Sequence, residues 1–157
     1  MYQIISAQSK IQMDVVKKLF IEYQKELGHD LCFQDFTREL NSLPGKYQEP
    51  AGHILLIKDE KKDIFAGCVA LKKHNENTCE MKRLFILPEF RNKGYGKILI
   101  NKIINIAKSK NYQYMILDTL MELKPALYLY RKFGFNETKP YYNNPIKSVI
   151  YMVKKIK

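Results

Sequence analysis

The spacing of hydrophobic and polar residues predicts helices and strands in alternation along the chain. From Ser9 to Leu27 apolar residues recur every three or four positions, which is typical of an amphipathic helix. The same spacing predicts helices from Asp35 to Leu43, around Ile98 to Ala107 and from Met121 to Lys132. Short runs rich in Val, Ile, Leu and Tyr predict strands over residues 2–7, 53–58, 64–73, 78–87, 112–118 and 149–154.

This order of elements favours one α/β domain over residues 1–157, with helices packed on a mixed sheet. No repeat or linker interrupts the chain, of which 46% is hydrophobic and 27% charged. No apolar run approaches the roughly 20 residues that cross a bilayer, and the N-terminus has no basic segment followed by a long apolar one. We therefore expect a cytoplasmic protein with no membrane partner.

The cysteines and histidines lack the spacing of metal ligands. Three cysteines are an odd set, which argues against a disulfide framework. Cys68 lies in an apolar run, where cysteine is simply a small apolar residue. We expect structural thiols and no metal.

Positive charge is concentrated in the second half of the chain. Residues 1–78 carry 11 basic and 11 acidic residues, whereas residues 79–157 carry 16 and 5, which accounts for the whole net charge of +11. This asymmetry indicates a polyanionic ligand. A nucleic acid and a phosphorylated cofactor would both fit, and the charge alone does not choose between them.

A glycine-bearing loop joins a predicted strand to the long helix. Gly94 and Gly96 let the backbone approach a diphosphate closely, and the first amides of the helix have no partner within it. Arg91, Lys93 and Lys97 add full positive charges at the same place.

Two other glycine loops are excluded by the residues that follow. A dinucleotide-binding fingerprint would need glycine where Leu99 stands. A Walker loop would need Ser or Thr where Ile98 stands.

Two motifs in this order resemble those of the GNAT N-acetyltransferases. Arg91-x-x-Gly94-x-Gly96 is similar to the family's Gln/Arg-x-x-Gly-x-Gly/Ala pyrophosphate loop. Residues 126–135, Ala-Leu-Tyr-Leu-Tyr-Arg-Lys-Phe-Gly-Phe, are similar to its Ala-x-x-Leu-Tyr-x-x-x-Gly-Phe segment. The resemblance implies the GNAT acyl-CoA N-acyltransferase fold, of the α/β (α+β) class, with a central mixed, mostly antiparallel sheet flanked by helices.

The resemblance also implies acetyl-CoA, held where two parallel strands splay apart. The Leu84 N–H would face the thioester carbonyl, and backbone groups of Leu84 and Ile86 would pair with the pantetheine arm. One departure concerns Leu123, because many members have a cofactor-binding Asn at that place. The cofactor-binding residues are then Leu84, Phe85, Ile86, Arg91, Asn92, Lys93, Gly94, Tyr95, Gly96 and Lys97.

Three groups are expected to carry the catalysis, namely the Leu84 N–H, the Glu80 carboxylate and the Tyr130 hydroxyl. The Leu84 N–H would stabilise the oxyanion. Glu80 would act as the base, as some family members have a glutamate at this place, and ideal strand alternation puts it on one face with Lys82 and Leu84. The alternatives are that Glu80 forms a structural ion pair with Lys82 or Arg83, and that a water chain takes the proton.

The resemblance identifies Tyr130 as the general acid that protonates the thiolate of coenzyme A. Tyr128 is its competitor, but it lies about 200° around the helix, so that both cannot face the thioester.

The acceptor site of the family is built from the first helices and the C-terminal strands. Acidic and aromatic residues in these regions suit a cationic amine. We expect direct attack in a ternary complex by a small primary amine or amino-acid-like acceptor, in a monomer or homodimer without a nucleic-acid partner. The alternatives are a basic nucleic-acid-binding domain, for which no known signature is present, and a catalytically silent acyl-CoA sensor. The candidate acceptor residues are Asp35, Phe36, Glu39, Tyr47, Tyr141, Tyr142, Asn143, Asn144 and Pro145.

Overall fold

A computed structural model describes the backbone of residues 1–157 and every side chain except that of Phe33. The described chain contains seven strands and four α-helices. In chain order these are β1 (Tyr2–Ser6), α1 (Lys10–Leu27), α2 (Phe36–Asn41), β2 (His53–Asp59), β3 (Ile64–Lys73), β4 (Thr78–Ile86), α3 (Tyr95–Ser109), β5 (Tyr114–Leu120), α4 (Lys124–Lys132), β6 (Asn136–Thr138) and β7 (Val149–Lys155).

The seven strands form one sheet in the order β1-β2-β3-β4-β5-β7-β6. Neighbouring strands are antiparallel except for β4 and β5, which are parallel. The predicted mixed, mostly antiparallel sheet is therefore confirmed. Its one parallel pair is at the centre, where the chain must cross through α3 to return to the sheet.

Each face of the sheet has its own hydrophobic core. On one face α3 packs with Leu99, Ile103 and Ala107, which follow each other at helical spacing. On the other face α1 packs with Val16 and Phe20. Within the described structure, no helix combines the length and the apolar composition that a membrane crossing requires.

Helix α4 and strand β6 differ from the sequence-based expectation. The predicted helix from Met121 begins only at Lys124, because Leu123 is the N-cap and Pro125 occupies the first turn, where its missing N–H costs nothing. Strand β6 was not predicted, since its three residues are polar and exposed. It exists because it pairs with β7.

Candidate active site

A β-bulge interrupts β4 beside the centre of the sheet. Lys82 and Phe85 pair with residues of β3 that are only two positions apart, so Arg83 and Leu84 together stand opposite Val69. Arg83 has a φ of 59°, in the left-handed region that a non-glycine residue rarely adopts.

The bulge reverses the alternation of side chains along β4. Glu80 and Lys82 precede it, and the Lys82 ammonium lies 3.3 Å from the side-chain oxygen of Gln34, just before α2. Leu84 is the second residue of the bulge and packs against the core under α3. The prediction that Glu80, Lys82 and Leu84 share one face is therefore wrong, because the extra residue shifts the period of the strand.

Beyond the bulge a cavity separates β4 from β5. The two strands pair only over Thr78–Glu80 of β4 and Tyr114–Ile116 of β5. The cavity lies between the later residues of the same two strands. Such a gap at the carboxyl ends of parallel strands is the arrangement that the GNAT resemblance implies. Its lining residues are Tyr23, Leu27, Leu31, Gln34, Met81, Lys82, Arg83, Leu84, Asp118, Thr119, Leu120, Leu123, Ala126, Tyr130, Asn144 and Ile146.

The cavity brings Leu84 and Tyr130 together from β4 and α4. Tyr130 is buried, with 7% of its surface exposed, whereas Tyr128 on the same helix is 63% exposed. Burial raises the pKa of Tyr130 far above its ordinary value, so its hydroxyl keeps its proton at neutral pH. Leu123 lines the same cavity and offers an apolar surface where many family members have Asn.

One wall of the cavity is polar. Asp118, in the C-terminal half of β5, accepts hydrogen bonds from the Tyr142 hydroxyl and from the amide of Asn144, the latter at 3.3 Å. Its carboxylate also lies 3.5 Å from the Lys82 ammonium. Burial alone would raise the pKa of Asp118, but Lys82 and Tyr142 outweigh it and hold that pKa below its usual range. Asp118 is therefore an anion at neutral pH.

Glu80 is buried beside this wall but outside the cavity lining. Its carboxylate accepts a 2.6 Å hydrogen bond from the Tyr141 hydroxyl. It also lies 3.6 Å from the Lys72 ammonium and 3.7 Å from that of Lys82. The ion pair with Lys82, which was the alternative to a role as base, is thus present, whereas Arg83 pairs with another carboxylate.

Arg83 forms a buried ion pair with Glu39 of α2. Two guanidinium nitrogens donate to the two carboxylate oxygens at 2.9 Å, and Lys46 approaches the same carboxylate at 2.8 Å. Burial would raise the pKa of Glu39, but these cations lower it to about 2. The Glu39 carboxylate is therefore occupied by its ion pair with Arg83. Tyr47 is buried in the core, with 1% of its surface exposed. Neither lines the cavity, contrary to their expected place at the acceptor.

Of the other expected acceptor residues, some lie at the cavity and some lie outside it. Phe36 packs on the Arg83 guanidinium, 5.1 Å from its ring centre, and Asp35 is exposed outside the cavity. From the C-terminal segment, Asn144 lines the cavity and Tyr142 reaches its wall. Asn143, Pro145 and Tyr141 lie outside the lining.

The glycine loop has the geometry of an anion site at the N-terminus of α3. Gly94 has a φ of 82° and Asn92 one of 65°. The first helical hydrogen bond runs from the Ile98 N–H to the Gly94 carbonyl at 3.0 Å, so the preceding amides have no helical acceptor. A Cβ at Gly96 would lie 3.5 Å from Leu129, which shows how closely this turn approaches α4.

Two charged side chains of the loop contact carboxylates. The Arg91 guanidinium donates from Nε to the Ile86 carbonyl at 2.9 Å and contacts both oxygens of Glu26, on α1, at 2.6 and 2.7 Å. Lys93 lies 3.7 Å from Asp59.

The remaining candidate cofactor-binding residues differ in whether their side chains are buried or exposed. The Tyr95 side chain is buried and donates to Asp59 at 2.6 Å, so only its backbone faces the loop. Phe85 is likewise buried, with its ring edge-on to Tyr23. Asn92 and Lys97 are exposed.

Comparisons with known proteins agree with this arrangement. The family model described as the acetyltransferase (GNAT) family matches residues 14–135. An uncharacterised N-acetyltransferase of Schizosaccharomyces pombe is 43% identical over 141 residues, which cover 89% of this chain and 86% of that protein. A GNAT acetyltransferase structure from Staphylococcus aureus matches with a TM-score of 0.83 at 21% identity, over 100% of both chains. One from Elizabethkingia anophelis with acetyl-CoA bound matches with a TM-score of 0.62 at 21% identity, over 98% of this chain and 97% of that one.

The chain belongs to the GNAT family of acetyltransferases, and it is an acetyl-transferring enzyme. The resemblance carried by Arg91–Gly96 and residues 126–135 is confirmed, and the mixed α/β fold with it. The family match does not specify the acceptor.

Sequence reasoning missed part of the cavity wall. Asp118 and Gln34 were not proposed as site residues, and Lys82 was considered only as a neighbour of Glu80. Asp118 had one available signal, since polar residues at the carboxyl end of a parallel strand lie where ligands bind in open sheets. Gln34 had none, because its place depends on how the segment before α2 packs.

Proposed function

We propose that this enzyme transfers the acetyl group of acetyl-CoA to a small primary amine by direct attack in a ternary complex. One observation carries the proposal. Leu84 and Tyr130 both line the cavity between β4 and β5. Two of the three candidate catalytic residues therefore border the space in which a thioester and an amine would meet, and the third, Glu80, is buried next to it.

The cofactor would lie along β4 and end at α3. The pantetheine arm would pair with backbone groups of Leu84 to Ile86, and the diphosphate would take the free amides at the start of α3. Arg91, Asn92, Lys93 and Lys97 surround that helix end. Glu26 now binds the Arg91 guanidinium and would have to share it with the diphosphate.

The reaction requires a neutral amine. Its nitrogen attacks the carbonyl carbon, a C–N bond forms, and the electron pair of the broken C–S bond leaves with sulfur. The Leu84 N–H stabilises the oxyanion, and a single donor of this kind is typically worth about 3 kcal/mol. The surplus proton on nitrogen passes to Glu80 through a water, while Tyr130 gives its proton to the thiolate and regains one from solvent. The products are an N-acetylated amine and coenzyme A.

Titration calorimetry with acetyl-CoA and with duplex DNA, at about 150 mM salt, tests the cofactor. We expect saturable one-site binding of acetyl-CoA and no binding of DNA. Release of the coenzyme A thiol across a panel of amines then tests the transfer. Binding of DNA without acetyl-CoA would contradict the proposal, as would the absence of thiol release with every amine.

The role of Glu80 is tested by its pH profile. Glu80→Gln should lower kcat by about 100-fold and remove the acid limb of the kcat/KM profile. Asp118→Asn is the parallel variant, because Asp118 is the carboxylate that lines the cavity. If Glu80→Gln keeps full activity at every pH while Asp118→Asn loses the limb, the base is Asp118.

A further inference from the structure

Three side chains outside the cavity form a hydrogen-bonded chain at the edge of the sheet. The hydroxyl of Ser6, the last residue of β1, lies 2.8 Å from Nε2 of His53, the first residue of β2. Nδ1 of the same ring contacts the carboxylate of Glu49, in the segment before β2. None of the three lines the cavity. A hydroxyl, an imidazole and a carboxylate linked in this order form the arrangement that activates a serine nucleophile.

The carboxylate decides which nitrogen of the ring carries the proton. Burial alone would raise the pKa of Glu49, but hydrogen bonds from Lys110, at 2.6 Å, and from His53 lower it. Glu49 is therefore an anion at neutral pH and can only accept hydrogen bonds, so Nδ1 of His53 is the donor. In the neutral ring Nε2 then has no hydrogen and accepts the proton of the Ser6 hydroxyl. This is the tautomer that a general base for Ser6 requires.

The pairing of β1 with β2 positions the hydroxyl and the ring. Ser6 pairs with Leu55, and His53 lies two residues before Leu55, so the two side chains are diagonal neighbours on one face of the sheet. The side chain of His53 is 12% exposed, whereas Ser6 is exposed. The base is thus enclosed and oriented, while the hydroxyl that it contacts is open to a substrate.

The backbone beside the hydroxyl offers a donor for an oxyanion. The Ala7 N–H donates to the Ile54 carbonyl of β2 at 2.9 Å. Successive N–H groups of an antiparallel strand point alternately toward and away from the partner strand, so the Ser6 N–H points away from β2. Within the described chain, no strand pairs with the other edge of β1. The Ser6 N–H is therefore free next to its own hydroxyl, where it can stabilise negative charge on an oxygen.

We propose that Ser6 is the nucleophile of a second catalytic site, which hydrolyses esters of small carboxylic acids. Small esters fit because they reach an exposed hydroxyl without a binding pocket. Ser6 Oγ attacks the ester carbonyl carbon while its proton passes to His53 Nε2, and the Ser6 N–H stabilises the oxyanion.

The reaction closes in two steps. The C–O bond to the alcohol breaks, and the alcohol leaves with the proton from His53. Water then gives a proton to His53 and attacks the acyl carbon, and the Ser6 oxygen leaves with that proton. The products are an alcohol and a carboxylic acid, and no acetyl-CoA takes part, so the proposal is independent of acetyl transfer.

A fluorophosphonate probe, which esterifies activated serines, tests the nucleophile. We expect one equivalent of label on Ser6, measured by intact mass and peptide mapping, and none at this position in Ser6→Ala. Ser109→Ala is the control and should be labelled like the unmodified enzyme, because the Ser109 hydroxyl donates to the Ile106 carbonyl at 2.6 Å rather than to a histidine. Absence of label on Ser6, or equal labelling of Ser109, would overturn the proposal.

Hydrolysis of p-nitrophenyl acetate without acetyl-CoA tests turnover. We expect many equivalents of nitrophenol per enzyme, a loss of this turnover in Ser6→Ala, and a kcat at least about 100-fold lower in His53→Gln. Cys32→Ala removes the exposed thiol, a competing nucleophile, and should keep the full rate. Equal turnover by Ser6→Ala, or a single burst that stops after one equivalent, would contradict the hydrolysis. If the melting temperature shows that His53→Gln is unfolded, the comparison of Ser6→Ala with Cys32→Ala decides.

Discussion

Arg83 shows how one residue shapes the site. Its left-handed backbone costs about 1–2 kcal/mol for a residue with a side chain. Its guanidinium is enclosed by Glu39 and by the rings of Tyr23 and Phe36, at 5.7 and 5.1 Å. These contacts hold Arg83 in place and so keep the bulge that turns Leu84 toward the cavity. The strained residue and the candidate oxyanion donor are neighbours.

The ion pair between Glu39 and Arg83 should make stability depend on acid pH. Because the pKa of Glu39 falls from 4.5 to about 2 on folding, its contribution is complete above about pH 5 and is lost as pH falls toward 2. The shift corresponds to about 3 kcal/mol of unfolding free energy. Glu39→Gln should be destabilised by about this amount at pH 7, and its stability should converge with that of the unmodified protein near pH 2.

Urea unfolding at a series of pH values measures this effect. Asp63→Asn is the control, because its carboxylate is 83% exposed beside Lys58 and such pairs contribute below about 1 kcal/mol. Parallel stability curves for Glu39→Gln and the unmodified protein would refute the role of the pair.

The proton donor is tested by removing a single hydroxyl. Tyr130→Phe should lower kcat by about 100-fold and leave the affinity for acetyl-CoA unchanged, because the ring still fills its place in the cavity. Tyr128→Phe on the exposed face of α4 should behave as the unmodified enzyme. Unchanged turnover of Tyr130→Phe, measured by thiol release, would remove Tyr130 from the mechanism.

Helix α1 is the element that joins the two halves of the site. Tyr23 and Leu27 line the cavity, while Glu26, on another side of the same turn, contacts Arg91 of the glycine loop. The helix is well defined at both ends, by the capping box of Ser9 and by Gly28 in the left-handed region. The glycine loop and the cavity are therefore both in contact with the same helix.

Glu26 should oppose the binding of acetyl-CoA. It competes with the diphosphate for Arg91 and repels its negative charge, although exposure limits both effects. Glu26→Gln should tighten acetyl-CoA binding by about three- to tenfold. Glu22→Gln, one turn earlier and paired with Lys25, should leave the Kd unchanged in the same calorimetric titration. Weaker binding by Glu26→Gln would mean instead that Glu26 positions Arg91 for the cofactor.

At the scale of the whole molecule, the two hydrophobic cores should protect two of the three cysteine thiols from chemical modification. Cys68 and Cys79 are fully buried on β3 and β4, and Cys32 is exposed. Burial raises the pKa of Cys79 to about 12 and that of Cys68 further still, so neither forms a thiolate at neutral pH. A thiol reagent should modify one cysteine in the native protein and three in denaturant. Rapid modification of all three under native conditions would contradict the packing.

The sequence by itself determined most of the elements and the form of the glycine loop. Amphipathic spacing predicted α1 and α3, and the glycines before Ile98 predicted an anion site, because both depend on residues that are close together in the chain. The GNAT family followed from the same loop and from residues 126–135.

Only the tertiary structure decided the walls of the cavity. The bulge at Arg83 broke the strict alternation of β4, and its partner Glu39 is 44 residues away in the sequence. Lys82 and Asp118 are 36 residues apart and meet only because β4 and β5 diverge beside each other. Spacing along the chain carries no information about such contacts, since the sheet order brings these residues together. The polar wall of the cavity thus depends on packing, whereas the glycine loop depends on local sequence.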